Sequence, residues 1–172
     1  MNERYPWVLR FLHWLTAAFV LAQVVLVGLN VLLYEPRPVL SEALVQSHIA
    51  LGAVIFLVTI CRLLIRAGSR VAPMTARPRA RVTARLVHLA IYGCLLALPV
   101  TGYLQLSALG FTVSIAGLIE LPPLELNVSL ARAAEFWHTA FAVVGVALVL
   151  LHIVAALVVR GTFAKRRVQN MS

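Results

Sequence analysis

The chain has 172 residues, 62% hydrophobic and 12% charged, with a formal net charge of +9 and a mean hydropathy of +0.93. A soluble domain of this length is about half apolar and about a quarter charged, so the composition excludes an ordinary water-soluble enzyme and points into a membrane. The two cysteines, Cys61 and Cys94, lie inside apolar runs and form no C-x-x-C or C-x-x-C-H, which leaves zinc clusters, redox dithiols and covalent haem attachment without support. The opening Met1–Trp7 does not read as a cleaved signal, because the apolar run that follows exceeds the roughly 7–15 residues of a signal core.

Runs free of Asp, Glu, Lys and Arg cover residues 11–34, 43–61, 86–119 and 136–159. A helix crosses a hydrocarbon layer of about 30 Å with roughly 20 residues. The pattern predicts helices over about 8–33, 43–66, 84–106 and 133–160, in a single domain 1–172 that is an all-α, integral membrane four-helix bundle. The third run is too long for one span and too short for two. Its helix is expected to stop near 106, with a kink at Pro99, before an apolar interfacial stretch leading to Leu121-Pro122-Pro123-Leu124. No alternating ten-residue pattern points to a transmembrane strand.

The charges sort by side. The N-terminus, the 62–85 connection and the tail from Arg160 hold 13 Lys/Arg and one acid, Glu3. The other two connections hold Arg37 and Arg132 against Glu35, Glu42, Glu120, Glu125 and Glu135. The positive-inside rule then places both termini and the 62–85 connection of a multi-pass membrane protein in the cytoplasm. The basic excess is a topology signal and a contact for anionic membrane lipid, not a nucleic-acid footprint.

All five histidines fall within or at the ends of the predicted helices. Ionisable groups at membrane depth are costly and mark function by default. By depth they form two layers: His13, His88 and His152 toward the cytoplasm, His48 and His138 toward the outside. On helix 4, His138 and His152 are 14 residues apart, which leaves them about 40° from the same face and roughly 21 Å apart along the axis. Ala142, Gly145 and Val149 lie between them on that face; small side chains there leave room for a flat macrocycle and also mark close helix packing, and both can hold on one face.

This spacing suits two stacked haems, because haem iron takes an axial imidazole on each side. Zinc would need ligands clustered at one depth, usually with Cys or a carboxylate; the chain has no Asp, and its Glu residues lie outside the spans. The outer haem has His48 and His138 available, with clearance at Gly52 and Gly28. The inner haem has His152 and either His13 or His88, and depth does not choose between those two.

At these residues the chain resembles the bacterial cytochrome b561 family of four-helix dihaem membrane cytochromes, and within it the superoxide oxidase type. The matching stretches are Arg10-Phe11-Leu12-His13-Trp14, His48-Ile49-Ala50-Leu51-Gly52 running to Arg62-Leu63-Leu64-Ile65-Arg66, His88-Leu89-Ala90-Ile91-Tyr92 leading to Leu98-Pro99-Val100-Thr101-Gly102, and Trp137-His138 with His152. The resemblance covers nearly the whole chain, apart from the loops and above all residues 108–131. It implies two haem b, with the inner iron on His13 and His152 and the outer iron on His48 and His138. It also implies ubiquinone as electron acceptor. His88 then stands beside a haem propionate or a quinone, or bridges helices.

The function expected is transfer of electrons from periplasmic superoxide to ubiquinone. The alternative is a haem b membrane subunit that delivers electrons from a redox partner, a dehydrogenase or hydrogenase, to quinone. Arg62 and Arg66, one turn apart, are candidates for propionate contact or simple cytoplasmic-side anchoring. Arg132 is a candidate to steer superoxide, or to pair with Glu135. Arg160 and Lys165 are candidates for a quinone carbonyl. Trp7, Trp14 and Trp137 near the span ends read as interfacial anchors.

Overall fold

The computed structural model describes residues 7–33, 38–69 and 78–169, with the side chains of residues 38, 78, 79 and 160–169 outside that description. Four helices carry the chain: α1 (Trp7–Leu33), α2 (Pro38–Gly68), α3 (Pro78–Ser107) and α4 (Val128–Gln169). Each contains a stretch long and apolar enough to cross a membrane. All but α1 run several residues past their predicted ends. A helix satisfies its own backbone in the headgroup layer as well as in hydrocarbon, so loss of apolarity does not end it. The starts follow local chemistry instead. Proline occupies the first position of α2 and of α3, where its missing N–H costs nothing. Asn127 caps α4, its side-chain oxygen accepting the Leu130 N–H at 2.9 Å.

The apolar stretch expected after α3 contains a short hairpin that its sequence pattern did not show. Strands β1 (Val113–Ile115) and β2 (Ile119–Leu121) pair antiparallel, with Ser114 opposite Glu120. The three-residue loop between them, Ala116–Leu118, places Ala116 at φ 53° and Gly117 at φ 69°, the left-handed central residues of a type I′-like turn, closed by Leu118 N–H to Ile115 O at 3.0 Å. Three residues per strand are too short for a periodicity to be visible in sequence. Gly110, at φ 84°, ends α3, with Gly110 N–H on Ser107 O and Phe111 N–H on Leu106 O. The segment is pinned back on α3 by Leu124 N–H to Ser107 O, Asn127 N–H to Ala108 O and Tyr103 Oη–H to Pro122 O. Val113 is buried where β1 meets α2 and α3. The hairpin therefore covers one end of the bundle.

α1 packs on α2, α3 packs on α4, and the two pairs meet through α2 and α3. Among the described residues, no Cα of α4 comes within 8 Å of α1 or of α2. The bundle is inverted relative to a soluble one. Its buried positions include Thr16, Ser41, Thr59, Cys94, Ser107, Ala131 and Ala134, while Leu21, Val31, Leu57, Val143 and Leu157 are exposed. Small residues permit close helix approach, and large apolar ones face lipid. Gly145 belongs to this packing: a Cβ there would meet the Cβ of Cys94 at 3.4 Å. It seats α3 on α4. Gly28, with nothing within 4 Å, is open.

Candidate functional site: two histidine pairs across the bundle

At the hairpin end, His48 on α2 and His138 on α4 have ring centroids 6.2 Å apart at 69°. At the other end, His13 on α1 and His152 on α4 stand 6.2 Å apart at 85°. An imidazole nitrogen binds a metal at about 2.0–2.1 Å, with its ring centroid roughly 1.1 Å further back, so two rings on opposite sides of one metal lie about 6.2–6.4 Å apart. Both pairs match this spacing. Both also join helices that have no Cα atoms within 8 Å of each other, so each imidazole pair spans a gap between helices that do not pack directly. His88 is closer to His152, 4.8 Å at 80°, too near for the two rings to stand on opposite sides of one metal.

The tautomer of His138 follows from its partners. Its Nδ1 lies 3.0 Å from Leu98 O and 3.2 Å from Thr101 Oγ1. A carbonyl only accepts, so Nδ1 carries the proton and Nε2 keeps the free lone pair that a metal takes. Thr101 donates to Ala97 O at 2.9 Å, which leaves its oxygen free to accept. Gly102 makes the approach possible: a Cβ there would stand 3.2 Å from His138 Cε1. His88 is held the same way, Nδ1–H on Ala84 O at 2.6 Å, so its remaining polar atom is Nε2.

A cavity of about 250 Å³ opens around the inner pair, lined by Arg10, His13, Trp14, Arg62, Arg66, His88 and His152. Three guanidinium groups stand there with no carboxylate among the lining residues. Arg62 is buried, its guanidinium carbon 5.5 Å from the centre of the Tyr92 ring. Arg10 and Arg66 are exposed at the mouth; the one buried cation, Arg62, has no carboxylate among the residues that line the cavity, a setting that favours an anionic guest, and the carboxylates of a haem edge fit that demand. At the outer pair, a cavity of about 170 Å³ lies between α1 and α2, lined by Leu26, Val27, Asn30, Leu44, Val45 and His48.

Every sequence-predicted histidine falls into one of these clusters. Arg62 and Arg66 join the inner one. Arg132 lies on α4, exposed and without an ion pair to Glu135; six residues before His138, it is about 120° around the helix from that side chain. Arg160 and Lys165 lie on α4, but their side chains fall outside the described residues, as does Arg37. Trp7, Trp14 and Trp137 are exposed, Trp7 at the start of α1 and the other two about two turns inside α1 and α4, and Trp14 is also 5.5 Å from His13. Sequence reasoning passed over Arg10 as a third cation, Thr101 and Gly102 as the seat of His138, and Gln23. The signal for Gln23 was its amide inside a charge-free apolar run.

Four lipid-facing helices with two transverse imidazole pairs, one of them beside a cationic cavity, define a membrane metalloporphyrin protein. A sequence model of the prokaryotic cytochrome b561 family matches residues 4–171, and the chain belongs to that family. It is a multi-pass protein of the bacterial inner membrane that binds haem b and transfers electrons.

Proposed function

We propose that the protein is a dihaem cytochrome that passes electrons from superoxide, at the hairpin end, to ubiquinone. In this reading His48 and His138 are the axial ligands of the outer haem, and His13 and His152 those of the inner. The observation that carries the ligand assignment is the shared 6.2 Å separation of two pairs on otherwise separated helices. Each haem, when bound, supplies a one-electron ferric/ferrous couple. The chain's own residues do the rest. Leu98 O fixes the His138 ring, Arg10, Arg62 and Arg66 receive inner propionates, and His88 presents Nε2 to a propionate or a quinone oxygen. Arg160 and Lys165 continue α4 toward the quinone.

The overall chemistry balances as two superoxide anions losing one electron each to give two O₂, with those electrons and two protons reducing one quinone to quinol. No general acid or base is needed where superoxide reacts. The resemblance of the four histidine motifs to superoxide oxidases supports this donor, and the unpaired, exposed Arg132 offers local positive charge at the flank of the outer pair.

The test is stopped-flow haem reduction by a superoxide pulse, with and without added ubiquinone. Rapid reduction that slows with salt and with Arg132→Glu supports the reading. One observation favours the second reading, a haem b subunit serving a dehydrogenase or hydrogenase. The stretches 35–42 and 120–135 at the hairpin end hold five Glu against two Arg, a balance that repels a small anion. Failure of superoxide to reduce the haems, with ready reduction by quinol or a protein donor, selects that reading.

A further inference from the structure

We infer that Gln23 is the positioning partner of the outer imidazole, its Oε1 accepting the Nδ1–H of His48 directly or through one water. The inference rests on the reading of His48 as an axial ligand. Gln23 is an amide in a lipid-spanning helix, and burying such a group costs free energy unless both ends are bonded. One end is accounted for: Nε2 donates to the backbone carbonyl of His48 at 3.0 Å. A carbonyl accepts only, so the atom facing it is nitrogen, and Oε1 lies on the far side of the amide. That Oε1 is buried without a hydrogen-bond partner, and so is the Nδ1 of His48.

An orphaned acceptor and an orphaned donor thus sit on two residues already tied to each other. Gly52, one turn beyond His48, makes the room: a Cβ there would come within 3.3 Å of Gln23 Nε2. The contrast with two of the other rings sharpens the assignment. His138 and His88 spend Nδ1–H on Leu98 O and Ala84 O, and metal-bound histidines nearly always donate their second N–H. The rival acceptor in the adjoining cavity, Asn30 Oδ1, already takes the Ser41 hydroxyl at 2.5 Å. An acceptor on Nδ1–H strengthens the imidazole as a donor to iron, which favours the ferric state and lowers the potential of that haem.

The experiment uses the purified full chain with its haems, comparing Gln23→Met, Gln23→Glu, Asn30→Leu and His48→Ala by haem content, potentiometric titration of the visible bands and low-temperature EPR. Gln23→Met is expected to raise the potential of one haem, the one missing from His48→Ala, and to leave the other unmoved. Gln23→Glu restores an acceptor and brings that potential back down. Loss of the outer haem in Gln23→Met with retention in Gln23→Glu supports the same conclusion. Unshifted potentials in Gln23→Met overturn it, as do equal damage from Met and Glu or a shift confined to Asn30→Leu. Retention of both haems in His48→Ala removes the axial reading itself, a result distinct from these.

Discussion

The Nδ1 of His138 lies 3.0 Å from the carbonyl oxygen of Leu98, a bond that crosses from α4 to α3 and fixes which ring nitrogen is free. It is possible because position 102 has no side chain. Gly102→Ala places a methyl about 3.2 Å from His138 Cε1, so the ring must give by a few tenths of an ångström. The expected cost is about 1–3 kcal/mol of stability, typical of overpacking, with an altered EPR signal for one haem only. Gly102→Val is expected to lose that haem. Thermal melts and EPR of the two variants check this, and unchanged spectra in both would contradict the placement of His138.

The equal spacing of the two pairs predicts cofactor content. The pure protein is expected to carry two haem b, both low-spin and six-coordinate, extractable by acid-acetone because no C-x-x-C-H thioether motif occurs. Pyridine haemochrome against protein concentration gives the ratio. A value near one, or a high-spin spectrum in mild detergent, contradicts the dihaem reading.

The difference between 6.2 Å and 4.8 Å from His152 separates His13 from His88. His13→Ala is expected to lose the inner haem and keep the outer. His48→Ala does the reverse, and His138→Ala and His152→Ala follow their partners. His88→Ala keeps both haems while shifting the inner potential. Loss of a haem in His88→Ala with retention in His13→Ala would reverse the inner ligand pair.

Orientation follows from 13 basic residues at one side against two at the other. A reporter fused after Met171 is expected in the cytoplasm, and one inserted at residues 35–42 in the periplasm. Labelling of the C-terminus from outside would place the hairpin and the His48–His138 pair on the cytoplasmic side.

Ala116 holds φ 53° in the hairpin turn, a conformation that costs an alanine and suits asparagine or glycine. Ala116→Asn is expected to stabilise the segment by roughly 0.5–1 kcal/mol, read as slower proteolysis of the 108–127 connection with both haems unaffected. Faster cleavage would show that the turn is not of this type.

The sequence by itself determined the four spans, because the cost of a charge in hydrocarbon writes them as charge-free runs. It determined the two histidine layers and the shared face of His138 and His152, because rise and rotation per residue are fixed within one helix. It did not determine which ring stands opposite His152, which cations gather around it, or that Gln23 reaches the residue behind His48. Those depend on the rotation of each helix about its own axis and on the distance to its neighbours. Contacts such as Gly145 against Cys94 and Gly52 against Gln23 set both, and no periodicity within one helix encodes them. The hairpin was hidden for a different reason: two three-residue strands are held by a turn and by backbone bonds to the end of α3, interactions that carry almost no side-chain pattern.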